Sequence, residues 1–295
     1  MKSLYYLCVI LLVAALPACC SEDCVSPVIP DRELAVHVDV DDHFEDYKNI
    51  EMGRGESMLI RFTAVAYQGE KIVSTMVSMV PDFSMKLPND DCLLAVFADF
   101  VLESSSEDYH FFTDIFSEIL LKNRVSYLPD VPSRVAFYGN ENVSATMTQA
   151  NIKVSTAMAK YRLEATDAPD YEVGNIRISF NSAYPAAING FNGNVCRGWS
   201  GLAFNSQCAG EMIAADMVFA EFEEIMLSAR VEVYDTDGKL RARIKSVGIP
   251  VKRGGITTVR GPFFTTFEED EPGPDSGGSG IEIDPSFTTD IIIKI

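Results

Sequence analysis

The chain has 295 residues, 47% of them apolar, and its 43 acidic and 24 basic side chains give a formal net charge of −19. Apolar content this high excludes general disorder, and charge this negative repels phosphate backbones and anionic bilayers, which excludes nucleic-acid binding. The sequence holds three His for metal binding or acid–base work near neutral pH.

Lys2 precedes an apolar run of twelve residues, Leu4 to Ala15, which leads into Leu16-Pro17-Ala18-Cys19. Charge, apolar run and small residues in that order predict a secretory signal. The run falls short of the roughly 20 apolar residues of a membrane span. Ending in Cys, the stretch resembles the lipobox of bacterial lipoproteins, in which the Cys is lipidated and becomes the first residue of the mature chain. Residues 1–18 are then the signal, and 19–31 an acidic, Pro-containing tether. Loss of those 18 residues, Lys2 among them, leaves 277 residues at a net charge of −20. Ser21-Glu22-Asp23 resembles the acidic signal that sends lipoproteins of Bacteroidales-type bacteria to the outer face of the outer membrane; a plain solvated tether has the same composition.

Seven Cys occur. Cys8 leaves with the signal and Cys19 carries the lipid, so Cys20, Cys24, Cys92, Cys196 and Cys208 remain, an odd set. Export permits disulfides. Cys196 and Cys208 flank one Gly- and Asn-rich loop around Trp199 and are the candidate pair; their spacing fits no zinc site.

From Leu34 the pattern alternates, with Leu34, Val36, Val38 and Val40 on one side and Ala35, His37, Asp39 and Asp41 on the other, which predicts a half-buried strand. Beyond the acidic residues 42–46 and a Gly53-Arg54-Gly55 loop, Met58 to Ala66 predicts a second strand and Lys71 to Val80 a third. Pro81 and Pro88 bracket a predicted loop. Cys92 to Phe100 is apolar almost throughout, as in a central strand covered on both faces. Phe112, Ile115, Phe116, Ile119 and Leu120 recur at three and four residues, which predicts a short helix within Tyr109 to Leu121. Gly139 to Met147 reads as a junction.

The second half is also β in character. Ile152 to Ala165 and Asn175 to Phe180 alternate, Ser182 to Ser206 is rich in loop residues, and Met212 to Leu227 is open to helix or strand. Asp235-Thr236-Asp237-Gly238 joins Ala229–Tyr234 to Leu240–Val247 as a hairpin. It sets Val231 and Val233 against Leu240, Ala242 and Ile244, with Glu232 beside Arg241 and Arg243 on the solvent side. After a strand over Thr257 to Phe267, residues 268–280 form an acidic Pro, Gly and Ser linker to a terminal strand within 281–295. Many short strands with turns between them predict an all-β chain of two antiparallel β-sandwich domains, with at most short helices, over 32–145 and 146–295.

Catalytic patterns are missing. His37, Asp39, Asp41 and His43 would form a straight outward row on a strand rather than a metal cage. Asp235 to Gly238 lacks the remaining ligands of a calcium loop. No Gly-x-Ser-x-Gly, His-Glu-x-x-His or phosphate-binding Gly loop occurs. The sequence predicts no enzyme and implies no cofactor.

The lipobox with its acidic tether, Cys92 to Phe100 with Ala98-Asp99, Thr156 to Asp167 with Ala159-Lys160, and Val251 to Thr265 stand in the order seen in the Bacteroidales fimbrillins. In these four stretches the chain resembles that family of type V pilins and accessory subunits, with Met158 where the family commonly has Pro-Val. The resemblance implies two transthyretin-like β-sandwiches and export as an outer-membrane lipoprotein at the cell surface. It also implies assembly with other fimbrial subunits by strand exchange, and contact with a host or bacterial surface ligand. In that family a shaft subunit loses its first strand to an Arg-specific protease; here a cut after Arg54 would release Leu34 to Val40, whereas Arg54 is otherwise an ordinary surface Arg. Arg32 is a rival site, but cutting there would keep the strand. Ile291, Ile293 and Ile295, on one face of the last strand, are the candidate donor row, and an ordinary final strand has the same pattern. A surface glycan-binding lipoprotein of similar sandwiches is the alternative, and a single Trp, Trp199, argues mildly against it.

Overall fold

The computed structural model describes residues 31–41, 58–102, 109–112, 118–122, 124–131, 134–207, 209–269 and 288–293. Among them the chain is all-β, with no α-helix. The first strands are β1 (Arg32–Val40), β2 (Met58–Gln68), β3 (Lys71–Ser78), β4 (Asp82–Leu87), β5 (Cys92–Leu102), β6 (His110–Phe112), β7 (Glu118–Leu121), β8 (Ala136–Val143) and β9 (Gln149–Thr156). They continue as β10 (Met158–Ala165), β11 (Val173–Phe180), β12 (Tyr184–Asn189), β13 (Val195–Trp199) and β14 (Ala203–Ser206). The last are β15 (Met212–Phe219), β16 (Ile225–Asp235), β17 (Leu240–Val251), β18 (Gly255–Gly261) and β19 (Thr288–Ile293).

One topology is built twice. In the first sandwich, β4-β1-β9 faces β3-β2-β5-β8, and the two sheets join where β8 pairs β9. In the second, β15-β10-β18 stands for β4-β1-β9, and β14-β11-β16-β17 for β3-β2-β5-β8. Pairing directions match strand for strand. β1 is antiparallel to β4 and parallel to β9, as β10 is to β15 and β18. The sheets are therefore mixed rather than purely antiparallel. Each parallel pair joins the first and last strands of its sandwich, and the strands between them supply the long crossover that parallel pairing requires.

Strands outside the repeat have separate roles. The hairpin β6–β7 is inserted between β5 and β8, and β12–β13 between β11 and β14; β7 pairs with β12, so the insertions make one sheet, β13-β12-β7-β6. This sheet bridges the sandwiches and covers the outer face of β5, where Phe97 meets His110 and Phe112 edge to face at 5.3 and 5.7 Å. That cover explains why β5, Asp99 apart, is apolar on both faces. Tyr138 is covered in the same way by the β12–β13 turn, and a Cβ at Gly193, whose φ is +72°, would overlap its ring.

Three predicted elements come out differently. Where a helix is expected within Tyr109 to Leu121, the described residues form β6 and β7, with 113–117 outside them: Ile119 and Leu120 pair with β12 and Leu121 with β6, and all three are buried; local spacing carries no record of those partners. The segment between Pro81 and Pro88 is the edge strand β4, paired with β1. The expected junction at Gly139 to Met147 lies in β8 and the turn after it, and β9 completes the first sandwich, so the chain changes sandwich at Ala157. Met212 to Leu227 resolves into β15 and the start of β16. The β16–β17 hairpin forms, with Val231 opposite Ile244, Val233 opposite Ala242 and Glu232 opposite Arg243; a register shift after Val233 sets Leu240 against Tyr234 instead, and Glu232 is buried rather than on the solvent side.

Candidate assembly site

The first strand sits in a slot. Leu34, Val36 and Val38 point into the core while Glu33, Ala35, His37 and Asp39 face out. On one side it pairs with β4 over six residues, Arg32 to His37; on the other it runs parallel to β9 over six, Ala35 to Val40. Removing it would leave two ladders unpaired and uncover Met85, Leu87, Ala150, Ile152 and Val154, all buried. Arg32 closes the start of the slot, donating to the carbonyls of Pro88 (3.4 Å) and Met147. His37 does not act with Asp39 and Asp41 as a metal cage; its Nδ1 lies 2.7 Å from Asp82 Oδ1 on β4. Among the described residues no group of three His, Cys, Asp or Glu could hold a metal ion.

The last strand is an addition to the second sandwich. β19 pairs antiparallel with β18 at the sheet edge, with Ile291 in register with Thr257, Ile292 with Ile256 and Ile293 with Gly255. Among the described residues, no strand of the first sandwich plays its part in the repeat. Cys19, Arg54, Cys208 and Ile295 lie outside the described residues. Cys196 is an exposed thiol on β13, and partial burial raises its pKa; Cys92, buried at the start of β5, is raised for the same reason.

Sequence reasoning missed two buried charge clusters between the sandwiches. On the outer face of β5, Asp99 takes two hydrogen bonds from Arg61 of β2, at 2.9 and 2.7 Å, and lies 3.3 Å from His110 Nδ1. His110 is fully buried, with Phe219 of the second sandwich 5.6 Å from its ring and no hydrogen-bond partner at Nε2. Burial holds its pKa down, opposed by the bond and charge of Asp99 and reinforced by the charges of Arg134 and Arg61. The second cluster centres on Asp216 of β15. It accepts from Arg134 (2.8 Å), Tyr127 (2.6 Å), Tyr184 (2.8 Å) and the Asp130 amide (3.1 Å). Burial still raises its pKa, against those partners. In both cases an Ala-Asp step within an apolar strand, Ala98-Asp99 in β5 and Ala215-Asp216 in β15, could have signalled a buried carboxylate; the partners Arg61, His110, Arg134 and Tyr127 carry no such signal.

The sequence pattern of a family described as a family of unknown function, DUF6562, matches residues 47–295, and the chain belongs to that family. No curated protein matches it in sequence. Among solved structures, the fimbrial anchor protein Mfa2 of Porphyromonas gingivalis is similar at 10% identity and a TM-score of 0.46, over 78% of this chain and 90% of that one. The tip fimbrial protein Mfa3 of the same organism, solved with a C-terminal truncation, is similar at 10% identity and 0.44, over 89% and 99%. A candidate adhesin of Bacteroides ovatus is similar at 12% identity and 0.49, over 73% and 82%.

Proposed function

We propose that this protein is a structural or adhesive subunit of a cell-surface fimbria, exported as a lipoprotein through Cys19 and joined to neighbouring subunits by strand exchange. The observation that carries this reading is the position of β19. It is the one described strand outside both the repeat and the bridging sheet, and it holds only the edge of β18. A strand added at an edge after a completed sandwich can leave without dismantling it, which is the physics of strand addition.

The slot of β1 supplies the complement. Leu34, Val36 and Val38 fill it at alternate positions, and Ile291, Ile293 and Ile295 repeat that spacing. Cutting after Arg54 would empty the slot, and reburial of three Ile would contribute about 5–9 kcal/mol before ordering costs. A subunit that keeps its lipid and its first strand would serve as an anchor instead.

Deletion of residues 288–295 tests the reading. The expected result is a folded monomer with near-unchanged melting that no longer polymerises after trypsin-like cleavage. Unfolding of the second sandwich in the deletion variant, or polymerisation without β19, would sink it.

A further inference from the structure

The outer face of the second sandwich carries a groove of about 680 Å³ along β11, β14 and β16 that assembly does not use. Its floor is notched where β11 passes close to β16: a Cβ at Gly174 would lie 2.5 Å from the Asp235 carbonyl oxygen. Register shifts at Val173/Asn175 and at Val233/Tyr234 bend both strands there. A concavity of this size falls in the range of roughly 300–1,000 Å³ typical of small-ligand sites.

The polar groups lining it are rich in unused donors. Arg177 stands in register with Glu232, so a cross-strand ion pair is the expected outcome. That carboxylate is already engaged by Arg243 Nε at 3.2 Å and the Tyr234 hydroxyl at 3.2 Å. Arg177 therefore has no hydrogen bond or ion pair among the described residues, although it is exposed on an acidic protein. Asn175 donates to Asn205 Oδ1 at 3.3 Å, which orients both amides and leaves the Asn205 amino group and the Asn175 carbonyl open to the groove. The Tyr234 ring, fixed through its hydroxyl, supplies one wall. A guanidinium fork asks for a carboxylate, fixed amides suit neighbouring hydroxyls, and an aromatic wall suits the apolar face of a pyranose.

We infer that this groove binds a carboxylated sugar, with Arg177 on the carboxylate, Asn175 and Asn205 on ring hydroxyls and Tyr234 against the ring. The site is separate from the strands used for assembly, so it stands whether or not strand exchange occurs.

Isothermal titration of the full chain carrying Cys19→Ala, with 3′-sialyllactose, a hyaluronan tetrasaccharide, lactose and acetate, tests it. Saturable binding of at least one of the first two, about tenfold or more tighter than lactose and than acetate, is expected. Arg177→Gln should abolish that preference, and Tyr234→Ala should weaken sugar binding while leaving acetate unchanged. Both variants should melt with the parent and still polymerise. Failure of both acidic sugars to bind, equal binding of acetate, or an unaltered preference in Arg177→Gln would overturn the inference.

Discussion

Arg134 donates to Asp216 at 2.8 Å across 82 residues of sequence, in a place where the Asp216 side chain is fully buried. The guanidinium also donates to Tyr127 at 2.6 Å and to the Leu128 carbonyl, so one side chain fastens the segment entering β8 to the second sandwich. Two charges out of water stabilise a fold only while both remain, and losing one strands the other.

Arg134→Ala should therefore cost about 3–5 kcal/mol. Urea denaturation of the full chain reads this. Joint replacement, Arg134→Met with Asp216→Leu, should recover most of the loss. A single variant within about 1 kcal/mol of the parent would show that the pair is not buried in solution.

His110 gives a pH dependence of defined sign. Its folded pKa lies below the ordinary value of 6.5, so the unfolded chain takes up the proton first as pH falls. The contribution is complete above about pH 6.5 and is lost as pH drops toward the folded pKa. His110→Phe should flatten the change in melting temperature between about pH 7.5 and 5.5 relative to the parent. The raised pKa of Asp216 tilts stability the other way in both proteins and cancels in the comparison. Parallel profiles would mean that His110 is hydrated.

Lipidation at Cys19 is expected to make the chain fractionate with membranes. A fatty-acid analogue should label the parent and not Cys19→Ala. Several acyl chains anchor stably at about 0.8 kcal/mol per buried CH₂, whereas one is marginal. Label retained in the variant would move the site or remove it.

In exported protein, Cys196 is expected to pair with Cys208 and close the loop around Trp199. A loop of this length stabilises by roughly 3 kcal/mol in the chain-entropy account. Peptide mapping after alkylation without reductant should recover the pair joined; both thiols alkylated would exclude it.

The strands with their own signals were legible. β1 alternates, β5 is apolar but for Asp99, and Asp237-Gly238 marks the β16–β17 hairpin, whose Glu232 meets Arg243 at 3.2 Å. What failed to show were the relationships among strands. Ile119 and Leu120 carry helical spacing but are held by β12, and Gly139, which looks like a turn, lies within β8. The repeat stayed hidden because β6–β7 and β12–β13 interrupt its two copies at different places. Arg177 carries no local signal, since its lack of a hydrogen bond or ion pair among the described residues depends on Arg243 reaching Glu232 first.

The parallel pairs have a mechanical consequence. In each sandwich the chain enters along one strand and leaves along a neighbour running the same way, β1 with β9 and β10 with β18, each over six register pairs. Tension between the ends of a sandwich then pulls the two strands past each other along their axes. All six pairs bear load together in shear, instead of opening in turn like a zip, and in single-molecule pulling each sandwich should yield in one abrupt high-force step.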